Sequence, residues 1–436
     1  MMSSEYVSMM DESSNQALYL PAINTNYASA LVSGLPEERS FPKGLVPADL
    51  AFWDGRSSLW RYPYFLHSIG QYKVGSDPVN SVTCRGSSEG VMFGDSAGYQ
   101  IGIGSLKGLI GLQSKMQGID ACSAWRRNTS VRHWIVDWLE TYTNFAMTID
   151  MPLWATLPQG AGSPFHKCTE EQLRTLTVEN LQFIDRHRQG HTRWLNVIQG
   201  LSTQSMINWW STVNWFDCSG YAFSAKGVEK GGLGVLLEPL LTMRDRNAFS
   251  SNRSWLHLLG CSTIPWAVVC TAIQRGLQLS VGINAKVSFD SSSPLIQGSR
   301  YEKYVDIPSL KSQLDTWRFI ELAAPKGPIL VGSEEPVPFS SPLADKLVMG
   351  DLNVREGKYQ HIQFDRYSHL FLMNHNIWAY LQAFELANSL AFSEGRSEIP
   401  EKYQRTLQVV EEAFKSECWH QLLSDEAELL ASFTGR

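Results

Sequence analysis

Four polar side chains, each placed directly after a short apolar run of the sequence, could do chemistry together. Asp95, Asp150 and Asp290 carry carboxyl groups, and Gln199 carries an amide. One carboxylate can trap an oxocarbenium-like sugar covalently while another carboxyl group moves protons. A further carboxylate and an amide suit the hydrogen-bonding edge of a nucleobase. If these side chains meet at one site, their types favour cleavage of a glycosidic bond to a base.

Strands must position these groups, and the sequence alternates short apolar runs with stretches of helical length. Parallel β/α units with about eight strands predict an α/β fold of the (β/α)8 TIM-barrel type, in which catalytic groups stand at the C-terminal ends of strands. A doubly wound parallel sheet is the alternative. An eighth strand, between the first two runs, is expected near Ala48–Phe52. The seven clear runs are 18–23, 91–94, 145–149, 194–198, 221–223, 256–259 and 285–289.

The chain changes character after Asp290. A Pro-rich segment, 325–342, precedes a helical pattern over 370–390, and a second helical pattern runs from Leu407 to Leu422. We interpret residues 1–15 as a disordered or loosely attached N-terminus. Residues 16–395 are interpreted as the barrel with insertions, and 396–436 as a C-terminal helical cap.

Composition limits the class of protein. The 37 basic and 43 acidic residues give a net charge of −6, which argues against coating nucleic acid by charge alone. Seven scattered cysteines, with no C-x-x-C pair, predict neither a disulfide framework nor a zinc ribbon. The polar N-terminus does not resemble a signal peptide, and no apolar stretch approaches the length of a membrane span. We therefore expect a cytoplasmic protein without a membrane partner.

The segment Gly94-Asp-Ser-Ala-Gly-Tyr-Gln100 admits two chemical interpretations. It fits the G-x-S-x-G nucleophile elbow of serine hydrolases, with Ser96 as nucleophile and Asp345 and His375 available as partners. Alternatively Asp95 is the functional group, and the small residues after it let the backbone approach a ligand closely. The glycines that follow have the wrong spacing for a dinucleotide site. No cofactor is expected.

Taken together, these segments resemble the tRNA-guanine transglycosylases, and more closely their DNA-acting relatives, the DNA 7-deazaguanine transglycosylases. The resemblance runs in order from Val91 to Pro294. Six short segments carry it, and each lies at a predicted strand end: Asp95-Ser-Ala-Gly-Tyr-Gln100, Ala146-Met-Thr-Ile-Asp150, Val197-Ile-Gln-Gly200, Gly220-Tyr-Ala222, Leu258-Leu-Gly260 and Ser288-Phe-Asp-Ser291.

The resemblance implies a role for each matching residue. Asp290 would be the nucleophile and Asp95 the second catalytic carboxyl group. The base would be held by Tyr99, Gln100, Asp150, Gln199, Ala225 and Leu259. The chain departs from the tRNA enzymes where a Gly pair is replaced by Ser224-Ala225 and where one Gly of the first motif is Ala97.

A third departure concerns metal. The tRNA enzymes carry a C-x-C-x-x-C zinc site followed by a His on a helix, and His375-Asn376 resembles that helix. Residues 344–349, where the cysteines should lie, contain none, so we predict no structural zinc. This departure favours a polymer other than tRNA.

The implied reaction is exchange of a guanine in DNA, flipped out of the duplex, for a free 7-deazaguanine, most simply the 7-cyano form. The resemblance also implies partner proteins of a DNA-modification system, in a bacterial cell or a phage-infected host. The alternatives are the same chemistry on tRNA, a serine esterase built on Ser96, and a nucleic-acid-binding barrel without activity. Candidate phosphate contacts are Arg126, Arg127, Arg132, Arg186, Arg188 and Arg193.

Overall fold

A computed structural model describes residues 15–33, 40–86, 89–109, 117–355 and 362–433. Eight parallel strands close into a barrel in sequence order, and the last strand pairs with the first, with Leu20 opposite Asp290. The predicted (β/α)8 barrel is therefore confirmed. Its strands are β1 (Leu18–Ile23), β2 (Tyr64–Ser68), β3 (Val91–Asp95), β4 (Phe145–Met147), β5 (Arg193–Ile198), β6 (Gly220–Ser224), β7 (Trp255–Leu259) and β8 (Lys286–Ser291).

The predicted position of the second strand is wrong. Within the proposed strand Ala48–Phe52, the chain forms a 3-10 helix, Pro47–Leu50, because Pro47 occupies its first turn and the Asp49 carboxylate accepts from the Val46 N–H. The strand is β2 instead. Its sequence, Tyr-Phe-Leu-His-Ser, mixes aromatic and polar residues and does not form a clear apolar run, although all five residues are buried.

Helices surround the barrel and follow most of its strands. They are α1 (Thr25–Ser33), α2 (Gly98–Ile103), α3 (Ile119–Arg127), α4 (Thr129–Tyr142), α5 (Glu170–His187), α6 (Thr203–Val213), α7 (Ala225–Asp245, kinked at Gly232), α8 (Ile264–Val281) and α9 (Ser293–Ser299). Among the described residues, no helix is both long and apolar enough to cross a membrane.

The C-terminal part packs onto this barrel. It holds two antiparallel hairpins, β9 (Lys303–Asp306) with β10 (Ile320–Ala323) and β11 (Val354–Arg355) with β12 (Ile362–Gln363). Its helices are α10 (Met349–Leu352), α11 (Arg366–Ala391), α12 (Glu401–Lys415), α13 (Trp419–Asp425) and α14 (Ala427–Ala431). The second helical pattern is thus split, since α12 ends before Leu422. The expected helical extension is present, while residues 1–14 lie outside the described residues.

Alternate residues of each strand fill the barrel interior, as the two-residue period of a strand requires. Phe93, Phe145 and Trp255 belong to this inner cluster. The rings of Phe93 and Phe145 stack with centroids 4.6 Å apart, and Phe145 and Trp255 lie 4.5 Å apart. These three rings form an aromatic floor beneath the C-terminal ends of the strands.

Candidate active site

The same alternation carries the candidate catalytic groups into the barrel mouth. Asp95 lies two residues after Phe93 on β3, and Asp290 lies two residues after the inward-facing Ser288 on β8. Gln199 directly follows β5, and Asp150 follows β4. The four side chains predicted from the sequence therefore share one end of the barrel, above the aromatic floor.

Asp290 is held through only one of its two carboxylate oxygens. Oδ1 accepts from the Gly260 backbone N–H at 2.8 Å and lies 3.2 Å from His257 Nε2. A carboxylate only accepts hydrogen bonds, so the His257 tautomer that fits this contact carries its proton on Nε2. Among the described residues, Oδ2 has no hydrogen-bond partner, and the side chain is 13% exposed at the mouth. Oδ2 is therefore the oxygen free to form a bond to a substrate.

His257 was not predicted from the sequence. It is completely buried, and its Nδ1 lies 2.8 Å from Ser288 Oγ, which also accepts from Trp255 Nε1 at 2.8 Å. Ser288, His257 and Asp290 are linked in the manner of a serine-hydrolase triad. Ser288 is inaccessible inside the barrel, so the network holds Asp290 and does not supply a serine nucleophile. The sequence did carry a signal for it: His257 lies in a predicted strand, two residues after Trp255, so both side chains lie on the same face of that strand.

Asp95 lies close enough to Asp290 for their charges to interact. Burial raises the pKa of Asp95, and the negative charge of Asp290 raises this pKa further. The Ser68 hydroxyl, which donates to Oδ2 at 2.5 Å, opposes this rise. A raised pKa favours the protonated carboxyl group, which is the form that a general acid needs in order to donate a proton.

Asp150 and Gln199 form a direct pair. Gln199 Nε2 donates to Asp150 Oδ2 at 2.5 Å, and Asp150 is only 7% exposed. Burial raises the pKa of Asp150 to about 7, with a further contribution from the charge of Asp95. A Cβ on Gly98 would lie 3.0 Å from Asp150 Oδ1, so a small residue is needed there. The pair presents a carboxyl group and an amide side by side.

The turn between β3 and α2 contains Ala97 in the left-handed region, with φ 72° and ψ 22°. Ala97 is buried, and its N–H hydrogen-bonds to the Asp95 side chain. Ser96 is 1% exposed and its hydroxyl donates to the Thr148 carbonyl at 3.0 Å. The turn therefore directs Asp95 to the mouth and buries the serine. His375, proposed as its partner, is buried on α11 with Nε2 3.0 Å from the Val305 carbonyl oxygen.

Aromatic and amide groups from α2 border the site. Tyr99 is 53% exposed and stacks on Trp154, with ring centroids 5.6 Å apart. Gln100 Oε1 is buried without a hydrogen-bond partner among the described residues, facing Gly70. Leu259 ends β7, one residue before the Gly260 N–H that holds Asp290. Ala225 begins α7, and its side chain lies outside the described residues.

The predicted phosphate-binding arginines are not brought to the mouth as a group. Arg126 forms a two-pronged ion pair with Glu179 of α5, in the outer helical layer, and Arg127 is exposed at the end of α3. Arg186 lies in the last turn of α5, and this helix leads into the start of β5, so Arg186 lies at the opposite end of the barrel from the carboxylates. Arg188 bonds to Asp185 Oδ1 and the Asp217 carbonyl, and lines a cavity at that opposite end. A strand entering the mouth would not reach Arg186 or Arg188.

No protein-family model matches this chain, and no curated protein matches it either. Function is therefore inferred from the geometry of the barrel mouth.

Proposed function

We propose that this protein is a base-exchange transglycosylase that replaces guanine in DNA with a 7-deazaguanine, the 7-cyano form being the first candidate. The observation that carries this proposal is the arrangement of three carboxyl groups in one mouth. Asp290 has a free oxygen, Asp95 has a raised pKa, and Asp150 is paired with Gln199. The first two suit the nucleophile and the acid/base that cleave and re-form a glycosidic bond, and the Asp150–Gln199 pair suits recognition of the base.

The first half of the reaction removes guanine. Asp290 Oδ2 attacks C1′ of the flipped nucleotide, and the C1′–N9 bond breaks with its electron pair leaving on the base. Asp95 donates its proton to the departing guanine. The sugar is then joined to Asp290 through a C1′–Oδ2 ester bond, and the free base leaves the site.

The second half re-forms the glycosidic bond. A free 7-deazaguanine enters, and its N9–H loses the proton to Asp95. N9 attacks C1′, and the C1′–Oδ2 bond breaks with its electrons returning to Asp290. Two inversions at C1′ give net retention, and both carboxyl groups recover their original states.

Asp150 and Gln199 suit recognition of both bases. Guanine and its 7-deaza analogues share a Watson–Crick edge with N1–H and N2–H donors and an O6 acceptor. An ionised Asp150 can accept from the two donors, and the Gln199 amide can donate to O6. Tyr99, exposed and backed by Trp154, offers a ring face for stacking. Because the two bases differ away from this edge, one pocket can accept each in turn.

The choice of DNA rests on the sequence resemblance and on the missing cysteines, and tRNA remains the competing polymer. The serine-esterase hypothesis gains no support, since Ser96 Oγ is buried and bonded to a carbonyl. We expect the protein to act in the cytoplasm, where nucleic acid and free bases are both present.

The test is incubation of the purified protein with 7-cyano-7-deazaguanine and either duplex DNA or bulk tRNA. Each polymer is then digested to nucleosides and analysed by mass spectrometry. We expect the modified deoxynucleoside from DNA alone. Product from tRNA alone would support base exchange but contradict the choice of DNA as substrate. No product from either polymer would count against base exchange.

A second test isolates the covalent step. With DNA and no free base, the wild-type protein should form an adduct that survives denaturing electrophoresis. Asp290→Asn should form none, while Asp345→Asn, a matched change at an exposed carboxylate, should form it normally. An adduct that persists in Asp290→Asn would assign the nucleophile to another residue.

A further inference from the structure

A second cavity, of about 690 Å³, lies beside the barrel mouth between the loop after β7, the start of α9 and the C-terminal helices. Its lining includes Thr263, Ser293, Arg318, Tyr380 and Lys402. Neither the sequence motifs nor the proposed reaction uses this cavity.

The cavity adjoins the nucleophile through the chain itself. Ser291 directly follows Asp290, and its hydroxyl donates to Ser293 Oγ at 2.8 Å. Ser293 lines the cavity wall, two residues from the end of β8. A polymer whose flipped nucleotide reaches Asp290 therefore has this cavity within reach of its neighbouring residues.

Two cations of the wall have no carboxylate partner among the described residues. Arg318 is exposed and forms no ion pair within the described part of the chain, and there Lys402 Nζ donates to the Ser432 carbonyl, at 3.1 Å. The acid in the wall, Glu321, is already bonded to Lys303 Nζ at 3.1 Å and to Gln297 Nε2 at 2.7 Å. In a protein of net charge −6, two unpaired cations beside a cavity favour an anionic ligand.

The remaining wall suits a sugar or a base. Phe319 stacks on Tyr380 with ring centroids 3.7 Å apart, and Tyr403 packs against Trp317 at 5.2 Å. Gln297 Oε1 is buried with no hydrogen-bond partner among the described residues and can accept from a ligand donor. Aromatic faces combined with cations are the features that bind single-stranded nucleic acid.

We propose that this cavity binds the nucleotide adjacent to the one being exchanged, with its phosphate on Arg318 and Lys402. This inference rests on the proposed function, because the nucleotide in the cavity belongs to the strand whose flipped nucleotide reaches Asp290. It also places the phosphate contacts on residues other than the arginines predicted from the sequence, of which Arg126 and Arg188 are ion-paired with acids. The ligand class is a phosphodiester-linked nucleotide in an unpaired strand.

The test measures binding without chemistry. A fluorescein-labelled single-stranded oligodeoxynucleotide is titrated with protein across a range of salt concentrations, using anisotropy. For Arg318→Gln/Lys402→Gln we expect at least a tenfold weaker affinity. The slope of log K against log salt should also fall in magnitude by roughly 0.7, the contribution of the one phosphate that the variant no longer neutralises.

Lys415→Gln is the matched control, since Lys415 lies on the same helix, α12, and does not line the cavity. Unchanged affinity and slope in the double variant would overturn the inference while leaving base exchange intact. Loss of binding in the double variant, in a protein that exchanges no base, would support the cavity and count against the proposed function. A wild-type protein that binds no oligonucleotide would defeat both.

Discussion

His257 Nε2 lies 3.2 Å from Asp290 Oδ1, at the end of a completely buried chain that runs through Ser288 to Trp255. The Gly260 N–H contacts the same oxygen. Two donors on one carboxylate oxygen fix the rotation of the side chain and leave the other oxygen toward the mouth. Orientation of the Asp290 carboxylate therefore depends on His257 of β7 and on Gly260, which directly follows β7.

Removing the His257 donor should slow adduct formation without weakening binding of the free base. We expect His257→Leu to lower the single-turnover rate by roughly 100-fold, the cost of a displaced reacting group. His257→Gln, whose amide can place an N–H near the Nε2 position, should recover much of the rate. Rapid-quench measurement of the adduct distinguishes the two variants, and equal losses in both would indicate a packing role only.

Removing the Ser68 hydroxyl should shift the pH dependence of guanine release. The hydroxyl favours ionised Asp95, so Ser68→Ala should raise the pKa of Asp95 further. The first half-reaction needs protonated Asp95, and its rate falls as pH rises through that pKa. The falling limb should therefore move to higher pH in the variant, measured as the pH profile of single-turnover guanine release. If the falling part of the pH–rate profile does not shift, or shifts to lower pH, Asp95 is not the proton donor.

Asp150 should destabilise the folded protein as pH rises. Its pKa is about 7 in the fold and about 3.9 in an unfolded chain, so the folded state binds more protons between these values. The free energy of unfolding therefore falls across that interval, by at most about 1.4 kcal/mol for each pH unit between the two pKa values. Asp150→Asn removes this loss.

The measurement is thermal unfolding of both proteins at about pH 5 and about pH 8. The variant should gain stability over wild type at the higher pH and much less at the lower, because ionisation of Asp150 is the difference between them. Exposed Asp345→Asn serves as control. A gain that does not depend on pH would show that the buried carboxylate is not the cause.

Ala97 should tolerate glycine but not a branched residue. The left-handed backbone conformation destabilises the fold by roughly 1–2 kcal/mol when the residue is alanine. Glycine avoids this strain but gives up the burial of one methyl group, which stabilises the fold by about 0.8 kcal/mol. Ala97→Gly should therefore change the free energy of unfolding by less than about 1 kcal/mol. Ala97→Val should cost more than about 2 kcal/mol, because a β-branched side chain adds strain in a buried turn. Urea denaturation tests both changes, and a tolerated valine would contradict the turn geometry.

Strand ends were predictable because apolar runs and a following polar residue are local signals. β1 is found at the predicted residues 18–23, and the strands that carry Asp95 and Asp290 lie within two residues of prediction. β2 was missed because its burial depends on packing in a closed barrel, where Tyr64 faces the interior and His67 is buried on the outer face against Tyr72 and Trp138. Tertiary context outweighs local pattern there.

Side-chain pairing was less predictable, because it depends on register between strands distant in sequence. His257 meets Ser288 only since β7 and β8 align these residues as Cα partners. The ion pair of Arg126 with Glu179 joins two residues that lie 53 positions apart in sequence, on different helices. Charge and spacing alone marked Arg126 as a phosphate contact, whereas the fold provides it with an acid.

The aromatic floor of Phe93, Phe145 and Trp255 closes the barrel beneath the carboxyl groups. Because these rings fill the barrel centre, a base bound at the carboxyl groups would enter and leave on the mouth side. Under the proposed function, guanine would therefore leave before its replacement arrives, a ping-pong order in which the sugar stays esterified to Asp290 between the two half-reactions. During that interval water competes with the incoming base, and scarcity of the free base would turn exchange into loss of a base from the strand.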